Sequence, residues 1–401
     1  MNARIPVSPF KLVSEPNQVS RFQFIFAYEG IEYSYGFALN STQIVEEFLY
    51  ATIDKKEVKY FERITSEEGE TEVEFGNVFL KGGKQLKEAK ERENFLNYKA
   101  KDTRPNQLFL TTVFEGNIKE RVSELIPAHM WFTTVFLIIE AEANYFSIES
   151  HLHRNEALKE FVGQFLRKAA TGIQRVSTSE AHIDYASDLS GWPEEEKDQF
   201  VRILDDAIAE KDVNDSDILI DLPDGSKLTI GKDSIGLPFK VKFYLQHQSE
   251  NTEVLYDFEI KEESDGTRRL LNLTPSLFEL KQGREKVIVI DELDRRLHPH
   301  LSRMIVETVM QSKGKSQLIF TTHDTHLLNL DLLRRDEIWF VEKQRGGNSS
   351  LYSLAEFKIR PDLQVEKGYL NGRFGAIPFI GDISSLGWTE KVSEVEEAIH
   401  A

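Results

Sequence analysis

The chain has 401 residues, of which 40% are hydrophobic and 29% charged, a globular balance sufficient for two or three domains or for one large domain with insertions. Lysine and arginine number 49 against 67 aspartates and glutamates, a net charge of −18; this argues against a general nucleic-acid coat, which needs clustered cations, and leaves only a local basic groove open. Cysteine is absent, which excludes disulfides, thiolate zinc sites and cysteine nucleophiles and fits a reducing compartment.

The N-terminal segment carries two early prolines and no apolar core of signal-peptide length. The longest apolar stretch, Trp131 to Ala141, falls short of the about eighteen residues a membrane helix needs. A soluble, cytoplasmic protein is expected. From Arg21 the pattern alternates: Phe22, Phe24 and Phe26 lead to Glu29-Gly30, then Ile31, Tyr33, Tyr35 and Phe37, which predicts a β-hairpin. Strand-like runs at Glu57–Ile64 and Glu72–Leu80 extend it into an antiparallel meander. Lys81 to Glu93 mixes charges as a solvated helix or loop does.

Between Glu156 and Gln174 the period becomes helical, with Leu158, Phe161, Val162, Phe165 and Ala169 on one face. Glu194 to Glu210 repeats it with Phe200, Val201, Leu204 and Ile208. These stripes are expected to pack on each other or on a sheet; a protruding arm that grips a partner is the other reading. Ile218–Ile230, with Pro223-Asp224-Gly225, predicts a hairpin, and Val254, Tyr256, Phe258 and Ile260 one more strand. From Gly266 the rhythm is helix, buried strand, helix, buried strand, strand, which predicts a parallel α/β sheet.

The strongest chemical signal is Val287-Ile288-Val289-Ile290-Asp291-Glu292. Four β-branched residues make a strand apolar on both faces, and two carboxylates emerge at its C-terminal end, where open α/β sheets bind ligands. One acid there can hold magnesium and the next can orient or deprotonate a water; the plain alternative is that both merely cap the next helix. After a helix from Pro299 to Gln311 comes a second apolar strand, Gln317 to Phe320, ending in Thr321-Thr322-His323-Asp324. A histidine at that tip can sense a phosphate. Ahead of the acids, Glu263 to Arg269 forms a small polar loop before an apolar helix, a place for an anion or simply a helix cap.

The runs SDGTRR, VIVIDELDRRLHP, QLIFTTHDTHLL, RRDEIWFVEK and YLNGRFGAIPF resemble AAA-type ATPases of the ABC/SMC-like branch, and within it the bacterial ATPases of abortive-infection and restriction-associated loci. The match is specific over about residues 260 to 382 and looser over the meander. The resemblance implies a P-loop NTPase sheet of the ABC/SMC-like kind with an antiparallel β-meander subdomain (1–125), a helical insertion (126–215) and a C-terminal α/β ATPase lobe (216–401). It implies ATP and Mg²⁺ as cofactors, Asp291 as the metal residue, Glu292 as the catalytic base and His323 as the switch histidine. Asp294 would lie in the loop crossing a dimer interface. Ser264 and Gly266 would stand in the signature loop that completes the ATP site of a second protomer, although Asp265 departs from the LSGGQ pattern. Arg334 and Arg335 match the family without an assigned role, and Gly372–Gly375 reads as a structural turn.

No G-x-x-x-x-G-K-[ST] is present. Gly314-Lys315-Ser316 has Val309 where the first glycine must stand, and Gly231-Lys232 and Gly82-Gly83-Lys84 continue wrongly. Three explanations compete: truncation ahead of Ile5-Pro6-Val7-Ser8-Pro9-Phe10, natural loss, or a loop from another chain. Truncation is expected, because removing an internal strand would open apolar edges such as those of Val287–Ile290. Through the resemblance, the function would be an ATP-driven switch, a homodimer or larger homo-oligomer, acting in anti-phage defence by controlling an effector such as a nuclease. A DNA repair or maintenance ATPase, and a non-hydrolysing interaction protein, remain alternatives.

Overall fold

Among the residues that the computed structural model describes (4–12, 18–82, 86–115, 122–142, 148–182, 192–209, 218–221, 227–232, 238–250, 252–312, 314–360 and 364–378), the period-two aromatics build the first sheet. Strands β1 (Ser20–Tyr28), β2 (Ile31–Leu39), β3 (Ile44–Ile53), β4 (Lys56–Thr65) and β5 (Thr71–Phe75) follow one another in an antiparallel meander. Glu29 and Gly30 at one turn, and Asp54 and Lys55 at another, all have positive φ. Two such residues in succession make the two-residue connection whose twist matches the strands it joins. The strand expected to reach Leu80 stops at Phe75. Gly76 lies so close to the main chain of Lys59 that a Cβ would sit 1.9 Å from its carbonyl oxygen, and Asn77–Lys81 turns into a helix. Helix α1 (Leu86–Asp102) occupies much of the charged stretch beyond it.

The inner aromatic face of the meander docks on the segment after residue 130. Phe26 stacks on Trp131 with ring centres 4.1 Å apart, and Trp131 stacks on Phe136 at 5.0 Å. Trp131–Val135 winds as a π-helical turn and runs straight into strand β6 (Phe136–Ile139).

Helix α3 (Glu156–Lys168) follows the short α2 (Phe109–Val113) and is capped by Asn155, whose side chain accepts the Leu158 N–H. It packs on β7 (Ile173–His182) and on a later helix through Phe161 and Phe278, 5.5 Å apart. After α4 (Glu194–Ala209) come β8 (Ile218–Asp221), β9 (Lys227–Lys232), β10 (Pro238–Gln248) and β11 (Leu255–Phe258), an antiparallel sheet in which β7 also pairs with β10. Ile218 faces Ile230, as a hairpin requires; the turn read at Pro223-Asp224-Gly225 lies outside the described residues. Ile260 has left the strand for a 3-10 turn. The stretch 126–215 thus holds β6 and β7 as well as helices.

Helix α5 (Asp265–Lys281) leads to β12 (Val287–Ile290), then α6 (Pro299–Met310) and β13 (Gln317–Phe320). The order is β13-β12-β6, all parallel. This corrects the expectation of open edges on Val287–Ile290: β12 is the central strand, paired on both sides. Ile288 and Ile290 are buried, but on the other face Ile138 and Ile319 are each 56% exposed and stand in register with half-buried Val289. Strand β13, expected to be buried, therefore shows one side to solvent.

The chain divides into two compact units, Met1–Thr322 and His323–Ala401. The second contains the hairpin β14 (Trp339–Lys343) and β15 (Ser349–Ser353) and helix α7 (Val365–Leu370), around Ile338, Phe340, Leu354 and Phe374. Arg335 fastens this unit by donating to the carbonyls of Ala355 and Phe357 at 3.2 and 2.9 Å, while exposed Arg334 pairs with Asp336 and Glu337. Gly372 and Gly375 both take positive φ around buried Phe374, and Tyr352 Oη donates to the Phe374 carbonyl at 2.7 Å. The segment is built as a turn.

In the first unit Glu47 and Arg63 are fully buried together. Glu47 accepts from the N–H groups of Phe109 and Leu110 at 2.6 and 3.0 Å, from Tyr35 Oη at 3.0 Å and from Arg63 at 3.3 Å. Arg63 in turn donates to the carbonyls of Arg104 and Gln107. Burial pushes the Glu47 carboxyl up and the Arg63 guanidinium down from their ordinary values. The carboxylate supplies the acceptor that the first N–H groups of α2 lack, and it joins that helix to the sheet. Removing it strands an uncompensated buried cation, so Glu47→Ala is expected to lower stability by about 3–5 kcal/mol in urea denaturation; a loss under ~1 kcal/mol would contradict this account.

Candidate functional site

The parallel register brings three chain segments to one end of the sheet. Asp291 N–H donates to the Ile139 carbonyl at 2.9 Å, and Thr321 N–H to that of Ile290 at 3.0 Å. Immediately beyond β12 the backbone turns sharply: Glu292 has φ 47° and Arg296 φ 60°. A left-handed conformation costs a residue with a Cβ about 1–2 kcal/mol and persists only where neighbours impose it.

Those neighbours are identifiable. Thr321 Oγ1 accepts the Glu292 N–H at 2.8 Å and donates to Asp291 Oδ1 at 2.6 Å. The Thr321 carbonyl accepts the N–H of fully buried Leu293 at 2.9 Å. From α5, Arg269 donates to the carbonyls of Glu140, Asp291 and Glu292 at 3.3, 3.0 and 3.2 Å. Burial, and then the nearby guanidinium of Arg295, holds Arg269 below the ordinary arginine pKa. On the side-chain side, Arg295 pairs with Glu292 at 2.9 Å and also with Glu142.

Asp291 is exposed and Glu292 half-buried at the carboxyl end of the central strand. Asp294 accepts from Thr322 Oγ1 at 2.6 Å. Ser264 caps α5, accepting the Thr267 N–H at 3.1 Å, and Glu263 just before it meets His247 at 2.7 Å. A Cβ on Gly266 would come 2.8 Å from the Arg296 carbonyl oxygen, so the 264–266 loop lies against the loop that follows the acids. His323 is exposed and opens the second unit. Thr321, Arg269 and Arg295 are participants that the sequence reading did not assign, although all three stand inside the strings it singled out.

The donor set suits magnesium. Asp291 Oδ1 and Thr321 Oγ1 are hard oxygen donors side by side, and Mg²⁺ characteristically takes one or two carboxylates together with substrate phosphate oxygens and water. Among the described residues no three His, Cys, Asp or Glu side chains form a group that could hold a metal unaided. No described helix is long and apolar enough to cross a membrane.

A family model described as "AAA domain, putative AbiEii toxin, Type IV TA system" matches residues 12–329. None of the curated proteins compared matches the chain. Among solved structures, the SmcHead bound to the C-winged helix domain of ScpA is similar at 13% identity, covering 80% of this chain and 74% of that chain, with a TM-score of 0.30. The recombination mediator RecF-ATPrS of the RecFOR pathway gives 12% identity, 73% and 75% coverage and a TM-score of 0.22. An Smc head domain with an extended coiled coil, bound to the C-terminal domain of ScpA derived from Pyrococcus furiosus, gives 12%, 85%, 79% and 0.26.

Two substitutions test the geometry. Gly266→Ala forces the Arg296 main chain to move and is expected to lower stability by about 1–3 kcal/mol; an unchanged urea midpoint would mean that the loops do not touch. Thr321→Val keeps the shape and removes the hydroxyl, with an expected loss of about 1 kcal/mol that Thr321→Ser largely recovers.

Proposed function

Since the chain belongs to the AAA-domain family whose model spans residues 12–329, we propose that it is an ATP-driven molecular switch that works through the acid turn after β12. The observation that carries this reading is the placement of Asp291 and Glu292 at the carboxyl end of a central parallel strand, with the Thr321 hydroxyl bonded to both residues. Bound magnesium would neutralise charge on the transferring phosphoryl group. Asp291, steadied by Thr321, is the residue to hold it. Glu292 is the residue to orient and deprotonate the attacking water. In the described geometry its carboxylate is paired with Arg295, and Arg295 also reaches Glu142. Glu142 thus offers the guanidinium a second anchor when Glu292 takes up a proton.

The 401 residues contain no G-x-x-x-x-G-K-[ST], so the reading assigns to this chain the acid, signature-loop and histidine parts of the cycle. A second copy would present Ser264 and Gly266 across the nucleotide, with Asp294 in the crossing loop and His323 reading the phosphate. The toxin–antitoxin wording of the family description supports a defence output in which nucleotide state controls an effector such as a nuclease.

Calorimetry with Mg-ATP tests the reading. With no such motif in the sequence, the chain is expected to bind at on the order of 1 mM, with binding lost in Asp291→Ala and kept in Glu292→Gln. Phosphate release at saturating ATP is expected to fall about 10²–10⁴-fold in Glu292→Gln. Magnesium-independent binding, or turnover that survives Glu292→Gln, would sink it.

A further inference from the structure

Arg269 is 4% exposed, and it donates to three main-chain carbonyls: Glu140 at the end of β6, and Asp291 and Glu292 beyond β12. Among the described residues its Nε has no hydrogen-bond partner. Burying a guanidinium is an expensive way to fill space, because its desolvation must be offset here by three carbonyl dipoles together with the nearby charges of Glu292 and Asp291. The planar fork does something no apolar side chain of that size could do: it binds the ends of two strands and the turn that follows one of them. That turn is the strained one. Glu292 sits at φ 47°, its N–H held by Thr321 Oγ1 and its carbonyl by Arg269.

The other end of the connection is the loop before α5. Ser264 caps the helix by accepting the Thr267 N–H, and Arg269 lies five residues later, a rise of roughly 7–8 Å along one rigid helical segment. Gly266 in the same turn lies against the Arg296 carbonyl. Loop and acid turn are thus linked through two contacts, one of main chain and one through the guanidinium.

We propose that Arg269 is a positioning residue that holds Glu292 in its left-handed turn and so ties the Ser264–Gly266 end of α5 to the placement of the Glu292 carboxylate. The functional meaning of that placement rests on the reading above, whereas the mechanical link is a property of the chain without nucleotide. The proposal predicts coupling between two sites 23 residues apart, from 269 to 292: relieving the strain at Glu292 should remove much of the need for Arg269.

Hydrogen exchange by mass spectrometry on the nucleotide-free chain tests it, because the Glu292 and Leu293 amides are both bonded to Thr321. Arg269→Met is expected to speed exchange of these two amides about tenfold while those of β2 and β3 stay unchanged. Adding Glu292→Gly should restore slow exchange, since glycine takes positive φ without a Cβ penalty. Arg269→Lys, with a point charge in place of the fork, should fall between and carries the same comparison should Arg269→Met not fold. Unchanged exchange at Glu292 and Leu293 would overturn the proposal. So would acceleration spread evenly through β2 and β3, or acceleration that Glu292→Gly leaves in place. A chain that lacks nucleotide turnover yet shows this pattern would refute the functional reading and leave the link standing.

Discussion

The site depends on one backbone arrangement, the in-register parallel pairing of β12 with β6 on one side and β13 on the other. Parallel pairing aligns carboxyl ends, and so gathers Glu140, Asp291 and Thr321 into one cluster of hydrogen bonds to main-chain atoms. Because side chains alternate along a strand, a slip of one residue would turn Ile288 and Ile290 outward and would separate Thr321 from both acids. The interior is held to this register by the burial of those two isoleucines.

Around that cluster, charge is organised in layers. Asp291 and Glu292 face outward, Arg295 is held between Glu292 and Glu142, and Arg269 lies underneath with its donors on carbonyls. The carboxylates have cationic company that differs in kind: one guanidinium acts on the side chain of Glu292 and is partly solvated, the other acts on its backbone and is buried. Exposed pairs are weak and easily exchanged, whereas buried networks are stiff and their partial loss is expensive. The arrangement therefore permits the carboxylate to change partners while the turn that carries it stays in place.

Much of this was legible in the sequence. The aromatic alternation around Glu29-Gly30 announced the meander, the stripe from Leu158 announced a helix, and four β-branched residues before two acids announced a parallel strand with its site at the tip. Strand β6 was not recognised because the apolar run Trp131–Ala141 begins as a π-helical turn and contributes only four strand residues; a short apolar run carries no period that separates helix from strand. With β6 unseen, loss of an internal strand was expected to leave an edge of β12 open. The roles of Thr321, Arg269 and Arg295 depend on contacts across the fold with main-chain atoms or with one of several nearby acids, and residue type alone does not identify such partners. Likewise Ile319 reads as core by composition, and only the structure shows that side of the row open.

The pairing of β6 with β12 joins Phe136 to Val287, residues 287 − 136 = 151 positions apart. Loop closure over that distance adds little to the final free energy, since each doubling of length costs only about 0.6 kcal/mol, but contacts so remote in sequence form slowly. The hairpins of the meander and of β8–β10 need no such closure. The β6 side of the acid turn is accordingly expected to close after the hairpins and after the β12–β13 pairing, whose partners are only 317 − 287 = 30 positions apart, and until then the apolar row of Ile138, Val289 and Ile319 is incomplete. The stage at which the chain is most exposed to wrong association is thus also the stage at which it has no assembled site.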